Sequence, residues 1–263
     1  MTGSLYEHVA SRLVGTALQR PAEWLRRAKD AGFRRRHPEL AEVFHEDERI
    51  DRTMRGAIGI TTNCIDIGCH LGAYLHRIVT LAPHGRHLAV EPVPHKAQWL
   101  RRKFPEVAVL EAALDESEGV REFFVDPAQT SLSRLGSAAG SSGRGMLQVR
   151  CRRLDDVVDE TTPIGFVKVD VNGGELHAMR GGRRLLARAR PFILLGCTQR
   201  GLDDHGVEAD EVFEFFVGEA GYRIFLLKDH LSGGKPLDAA AFRTSMVYPF
   251  QALNYAIVPA AAV

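Results

Sequence analysis

Short apolar runs recur from residue 61 onward, separated by longer stretches whose apolar positions repeat at helical spacing. The runs predict strands near 63–67, 86–91, 107–111, 121–125, 164–169 and 191–196. Helices near 72–82, 95–104, 174–188 and 208–220 separate most of them. This alternation predicts an α/β fold with a mainly parallel sheet wrapped by helices. Two late runs, Tyr222–Leu227 and Leu253–Val258, flank a segment holding Gly233, Gly234 and Pro236. Paired with each other, they would form an antiparallel C-terminal edge.

Residues 1–60 read differently. Leu5, Val9, Leu13 and Ala17 repeat at helical spacing, Pro21 suits the first turn of a second helix, and Pro38 can open a third. The expected organisation is a helical N-terminal cap over 1–60 on a single α/β domain over 61–263. Asp126–Gly145, rich in serine, glycine and alanine, reads equally as a flexible surface loop or as a lid.

The chain of 263 residues is long enough for a sizeable core, and its 45% hydrophobic and 25% charged residues are those of a globular protein. A net charge of +1 gives no global electrostatic case for nucleic acid or an acidic membrane. Four cysteines in no C-x-x-C pair, no signal-peptide pattern and no apolar run near the roughly 20 residues of a membrane helix lead to the expectation of a cytoplasmic protein without a membrane span.

The chemistry concentrates in Cys64–Glu91. An apolar run ending in Asp66 leads into a turn with Gly68 and Gly72, then a helix, then a second run ending in Glu91. This is half of a nucleotide-binding βαβ unit: Gly68 permits close approach to the main chain, Gly72 lets the first helix pack close, and Glu91 is placed to accept hydrogen bonds from ribose hydroxyls. The spacing D-x-G-x-x-x-G differs from the dinucleotide fingerprint and leaves Asp66 facing the site. That charge repels a pyrophosphate and suits a sulfonium with an amino group, so S-adenosylmethionine fits better than NAD. After the third strand, Glu111 is followed by Ala112 and Ala113, small residues with amides to offer a flat ring. In FVKVDVNGGELHAMRGG, Asp170 ends a buried strand beside Asp66 and suits a general base, a metal ligand or a clamp on an amino group, whereas Glu175 is explained by the helix dipole.

DIGCHLG, AVEPVP with Pro92 after the acid, EAALDESEG followed by FFVDPAQTSLS, RRLDDVV and KVDVNGGELHAMRGG occur in an order that resembles the FkbM-type S-adenosylmethionine-dependent methyltransferases, over roughly Cys64–Cys197. The resemblance implies a Rossmann-like methyltransferase fold and O-methylation of a sugar, glycolipid, polyketide or related natural product. It places Asp66, Gly68 and Gly72 at the methionine part, Glu91 at the ribose, Ala112 at the adenine, Ser131 in the lid and Asp170 near the transferring methyl. The sequence departs from the family pattern at His70, Asn172 and Gly196. The last two remove oxygen donors, so no metal is expected. Asp170, His70 and His205 are the candidate bases for the acceptor hydroxyl, with His177 facing away. The acceptor is expected to be a small molecule, and the chain could self-associate. Two other readings stand beside this one: a cofactor-binding subunit without catalysis, and methylation of RNA or protein by way of the arginine-rich helix with Arg180, Arg183, Arg184, Arg188 and Arg190.

Overall fold

The computed structural model describes Thr16 and residues 31–125, 133–136 and 145–260. The helical repeats before residue 31, Ser131 and most of the 126–145 segment lie outside the described residues. A seven-stranded sheet forms the centre, in the order β10-β11-β9-β8-β1-β2-β3. Its members are β1 (Asn63–Ile67), β2 (His87–Val90), β3 (Ala108–Leu110), β8 (Ile164–Val169), β9 (Phe192–Gly196), β10 (Tyr222–Leu226) and β11 (Asn254–Pro259). The pairings from β9 through β3 are parallel, and β11 runs antiparallel to both β9 and β10. The two late runs therefore pair as expected, but the last strand inserts inside the sheet and leaves β10 at the edge.

The run expected near 121–125 does not join this sheet. It forms β5 (Gly119–Phe124) of a second sheet with β4 (Ala113–Leu114), β6 (Arg134–Leu135) and β7 (Met146–Arg152), in the order β4-β7-β5-β6. Four of the six β5 residues are exposed and Phe123 is buried, as suits a sheet with one wet face. The strand β7 was missed by sequence reasoning because its arginines and glutamine interrupt the apolar run. The helix expected over 174–188 is split into Glu175–Arg180 and Arg183–Ala189 at Gly181–Gly182, where a Cβ on Gly181 would overlap the Asp115 carbonyl. The helix expected over 208–220 changes winding after Phe213, with Ala209–Phe213 α-helical and Glu214–Glu219 π-helical.

Strand alternation divides the core. Ile65, Ile67, Val167 and Val169 face one side of the sheet, packed with Leu176, Leu185 and Phe216. Cys64 and Phe166 face the other, under the helices Glu46–Ala57 and Ala73–Leu81, which supply Ile50, Met54 and Ile78. Burying such side chains contributes roughly 1.5–3 kcal/mol each. Buried Glu46, at the start of its helix, accepts hydrogen bonds from the amides of Leu253 (2.7 Å) and Asn254 (2.8 Å), which ties this helix to the start of β11. Among the described residues no helix is long and apolar enough to cross a membrane.

Candidate active site

The carboxyl ends of β1, β2, β3 and β8 meet at one edge of the sheet. Gly68 follows β1 with φ +81°, and a Cβ there would overlap the Asp170 carbonyl oxygen. The ends of β1 and β8 thus approach as closely as only glycine allows. Gly72 caps the helix Ala73–Leu81 with φ +82°, and a Cβ there would lie 2.6 Å from Phe104 Cε2. Its role is helix packing, as the sequence implied.

Between them His70 takes a left-handed conformation, φ +50°, and its amide donates to Glu91 Oε2 (2.9 Å). The other carboxylate oxygen of Glu91 accepts from the Val93 amide (2.9 Å). A carboxylate has about four acceptor positions, so this buried glutamate keeps capacity for further donors such as ribose hydroxyls. Burial pushes its carboxyl up to about 7, against the opposing pull of the Lys96 ammonium and the two amides.

Beside this turn lies a cleft walled by Gly68, Pro92 and Ala112 at the strand ends of the main sheet and by Ala113, Phe123 and Leu135 from the second sheet, with Val171 and Gly174 closing it. Every one of these is apolar or glycine, so the cleft suits a flat, weakly polar group. The second sheet therefore has a positional role: it supplies one wall of the cleft. Phe123 and Leu135 were not singled out from sequence, since nothing local marks a residue that reaches the site from another sheet.

Asp66 is placed below the cleft, not on its surface as expected. Ile67 lines the core on the cleft side, so strand alternation turns Asp66 to the opposite face, where it is 1% exposed. There it is register partner of Lys168 on β8, whose Nζ lies 3.9 Å from Asp66 Oδ1, 3.5 Å from Asp170 Oδ2 and 4.8 Å from the Tyr74 ring centroid. Neither carboxylate oxygen of Asp66 receives a hydrogen bond. Burial raises the Asp66 carboxyl, against the charge of Lys168. Burial opposes the charge of Lys168 as well, and the nearby Asp170 and Asp66 carboxylates outweigh it, so the lysine stays protonated. Sequence reasoning passed over Lys168, although a lysine inside the apolar run FVKVDV is itself a signal of a buried partner.

Asp170 stands at the end of β8 with its side chain 42% exposed. A Cβ on Gly196 would lie 2.9 Å from its Cγ, so the glycine found where an acid was expected makes room for this carboxylate. The following turn repeats the plan of the first. Asn172 is left-handed, φ +57°, a conformation asparagine tolerates well, and its side-chain amide donates to Ser133 O (3.1 Å). Glu175 accepts from the amides of Val171 (2.7 Å) and Gly173 (2.9 Å). Its carboxyl too is pushed up to about 7 by burial, then by the Asp170 charge.

His205 ends the helix Gln199–His205 and packs over this turn: a Cβ on Gly173 would lie 2.6 Å from its Cδ2. Its Nε2 is buried without a hydrogen bond, and burial, then His177 and Arg134, holds its ring below the usual histidine range. His177 is not turned away as expected; its ring centroid is 6.5 Å from that of His205. Glu111 lies outside the cleft, in a surface ion pair with Arg101 (3.1 Å). The structure thus gathers Gly68, His70, Glu91, Pro92, Ala112, Asp170 and His205 around one strand-end edge, with Asp66 beneath it.

Several solved structures are similar to the chain at low identity. The methyltransferase FkbM from Methylobacillus flagellatus KT is 16% identical, with a TM-score of 0.47 over 76% of this chain and 44% of that one. SMU.1697c from Streptococcus mutans, solved with S-adenosylhomocysteine, is 12% identical, with a TM-score of 0.44 over 80% of this chain and 96% of that one. CalS10 from Micromonospora echinaspora, an amino pentose methyltransferase with S-adenosylmethionine bound, is 15% identical, with a TM-score of 0.33 over 74% and 57%. The chain thus spans less than half the length of the Methylobacillus protein. No curated protein matches it. A model of the methyltransferase FkbM domain matches residues 66–224, more than half of the chain, which therefore belongs to the FkbM family of S-adenosylmethionine-dependent methyltransferases.

Proposed function

We propose that this chain transfers a methyl group from S-adenosylmethionine to a hydroxyl of a small molecule, a sugar, glycolipid, polyketide or related natural product. The observation that carries the reading is the pairing of an all-apolar cleft with a buried glutamate, Glu91, that still has acceptor capacity. Those features fit an adenosine: Pro92, Ala112 and Ala113 against the ring, and Glu91 toward the ribose. Asp170, exposed at the strand end next to Gly68, would face the methionine part. When bound, the cofactor supplies an activated methyl on a good leaving group.

What the chain must add is alignment and a proton acceptor. A hydroxyl is a poor nucleophile until a base takes its proton during attack. Asp170 and His205 both stand by the Val171–Gly174 turn, and the lowered His205 ring is neutral near pH 7 and able to accept a proton. His70, the third candidate, sits in the first turn with its backbone amide on Glu91. Residues 1–60, the 126–145 segment and 198–206 would set acceptor specificity.

The arginine-rich segment gives little support to an RNA acceptor. Arg180 and Arg183 pair with Glu211 and Glu219, and Arg184 with Asp156 (3.2 Å) and Glu160 (2.9 Å). Arg188 and Arg190 donate to backbone carbonyls. Phosphates would have to compete with these contacts.

The experiment is methyl transfer from labelled S-adenosylmethionine to a panel of hydroxyl acceptors, with Asp170→Asn and His205→Gln in parallel. Loss of turnover with retained cofactor affinity in His205→Gln assigns the base to His205, and a loss of turnover in Asp170→Asn far larger than its loss of cofactor affinity assigns it to Asp170. Cofactor binding without turnover on any acceptor would instead favour the non-catalytic subunit.

A further inference from the structure

Lys168 and Asp66, buried beneath the cleft, are not used by the chemistry above. Two carboxylates and one ammonium ion sit within a few ångströms, and only Asp170 reaches solvent. Lys168 lies between them: its side chain is 3% exposed, that of Asp66 is 0% exposed and that of Asp170 is 42% exposed. The aromatic face of Tyr74 covers the ammonium from the helix Ala73–Leu81. The arrangement is a rod with a charge at each end. Asp66 neutralises the lysine from behind, and the lysine presents its charge to the one carboxylate of the set that reaches solvent at the end of β8.

The geometry points to Lys168 as a positioning residue, anchored by Asp66, that fixes the Asp170 carboxylate at the cleft mouth for the cationic methionine end of the cofactor. This rests on the cofactor site proposed above. Asp66 acts through Lys168 in this scheme and does not touch the ligand, which explains how an acid at the heart of the glycine turn can be sealed from solvent. A buried charge is tolerated when it is paired, and removing one partner of such a set strands the others.

Other charged and titratable groups face the cluster. Cys64 on β1, Cys69 in the turn and Tyr74 are all raised by burial, Cys64 and Tyr74 to about 12, so they stay neutral. The Arg77 guanidinium lies 5.4 Å from the Tyr74 ring centroid, and Asp47 acts on Tyr74 from the helix Glu46–Ala57. Burial also pushes Glu91 and Glu175 up to about 7 in the native chain, so each variant's pH profile is read as its difference from the native profile.

The test uses the full chain, with affinity by calorimetry for S-adenosylmethionine, which carries the sulfonium charge, and urea stability of the ligand-free protein, both from pH 6 to 9. Lys168→Met leaves two uncompensated carboxylates, so Asp66 takes up a proton. Affinity falls about tenfold or more at pH 7, and ligand-free stability drops further below that of the native chain as pH rises. Lys168→Arg keeps the charge and restores affinity to within about threefold. If Lys168→Met does not fold, the double variant Asp66→Asn with Lys168→Met decides: it removes the buried mismatch, and affinity still falls about tenfold because Asp170 has lost its anchor. Native affinity in that double variant, or in folded Lys168→Met with an unchanged pH profile, overturns the assignment. If the native chain binds no cofactor, the site reading fails first, and the ligand-free stability profile alone decides whether the charge couple exists.

Discussion

Two turns close the cleft, one after β1 and one after β8, and they are built alike. Each places a residue other than glycine in the left-handed region, His70 and Asn172, and each is held by a buried glutamate that accepts turn amides and is pushed up to about 7. They differ in where the glutamate comes from. Glu175 belongs to the first turn of the helix that follows its own loop, and its oxygens are taken by Val171 and Gly173. Glu91 comes from the next strand and holds only one amide with each oxygen. Each glutamate satisfies two amide donors, but Glu175 does so wholly within its own loop, whereas Glu91 ties the first turn to the segment after β2, between Val90 and Pro92 of the cleft wall. Residues of one type near strand ends thus differ by which elements they tie together.

The largest effect that would break this comparison is at the point where the two turns touch. Gly68→Ala should cost roughly 3–4 kcal/mol, since the added methyl meets the Asp170 carbonyl at a left-handed backbone. Urea denaturation measures it, and a native-like midpoint would show that the strand ends are not this close.

Next in size, Glu175→Ala strands the Val171 and Gly173 amides and should cost about 2–4 kcal/mol. The same denaturation experiment reads it out, and because Asn172 shares this turn, the second sheet should lose proteolytic protection as well.

A smaller effect separates the glutamates by pH. Unfolded carboxyls are ionised near neutrality, whereas folded Glu91 and Glu175 take up protons through about 7. The folded state therefore binds more protons, and ligand-free stability should rise by about 1–2 kcal/mol as pH falls from 8 to 6.5. Glu91→Gln should remove roughly half of that slope. Below this window the lowered rings of His87, His205 and His230 act in the opposite direction, because the unfolded state then binds the extra protons.

The smallest effect is Asn172→Gly. Glycine adopts the left-handed conformation freely but loses the hydrogen bond to Ser133, so stability should stay within about 1 kcal/mol of native. A larger loss would mean that the link to the second sheet carries more of the turn than its geometry implies.

The periodicity of the chain was enough for the parallel strands, because β1, β8 and β9 are largely buried on both faces and read as mostly apolar runs, interrupted at Asp66 and Lys168. Glu91, Gly68 and Asp170 were legible for a related reason: each ends such a run, and strand ends converge in a sheet of this type. Three features were not. The second sheet depends on pairing across the 126–145 segment, which no local pattern encodes. Asp66 was placed on the cleft because the glycine spacing marks its position in the chain but not the face to which its side chain turns. That face is set by strand register, which also brings Lys168 alongside it. The cleft wall at Phe123 and Leu135 is tertiary in origin, and both residues look like ordinary strand positions in sequence.

The central claim, that Glu91 holds the ribose while Glu175 only holds its turn, is tested most directly by calorimetric titration of S-adenosylhomocysteine into the native chain, Glu91→Gln and Glu175→Gln at pH 7.5. The native chain should bind one equivalent, Glu91→Gln should lose about 10- to 100-fold in affinity as a charge-assisted hydrogen bond is removed, and Glu175→Gln, while folded, should stay within about threefold. Equal losses in the two variants, or native affinity in Glu91→Gln, would contradict it.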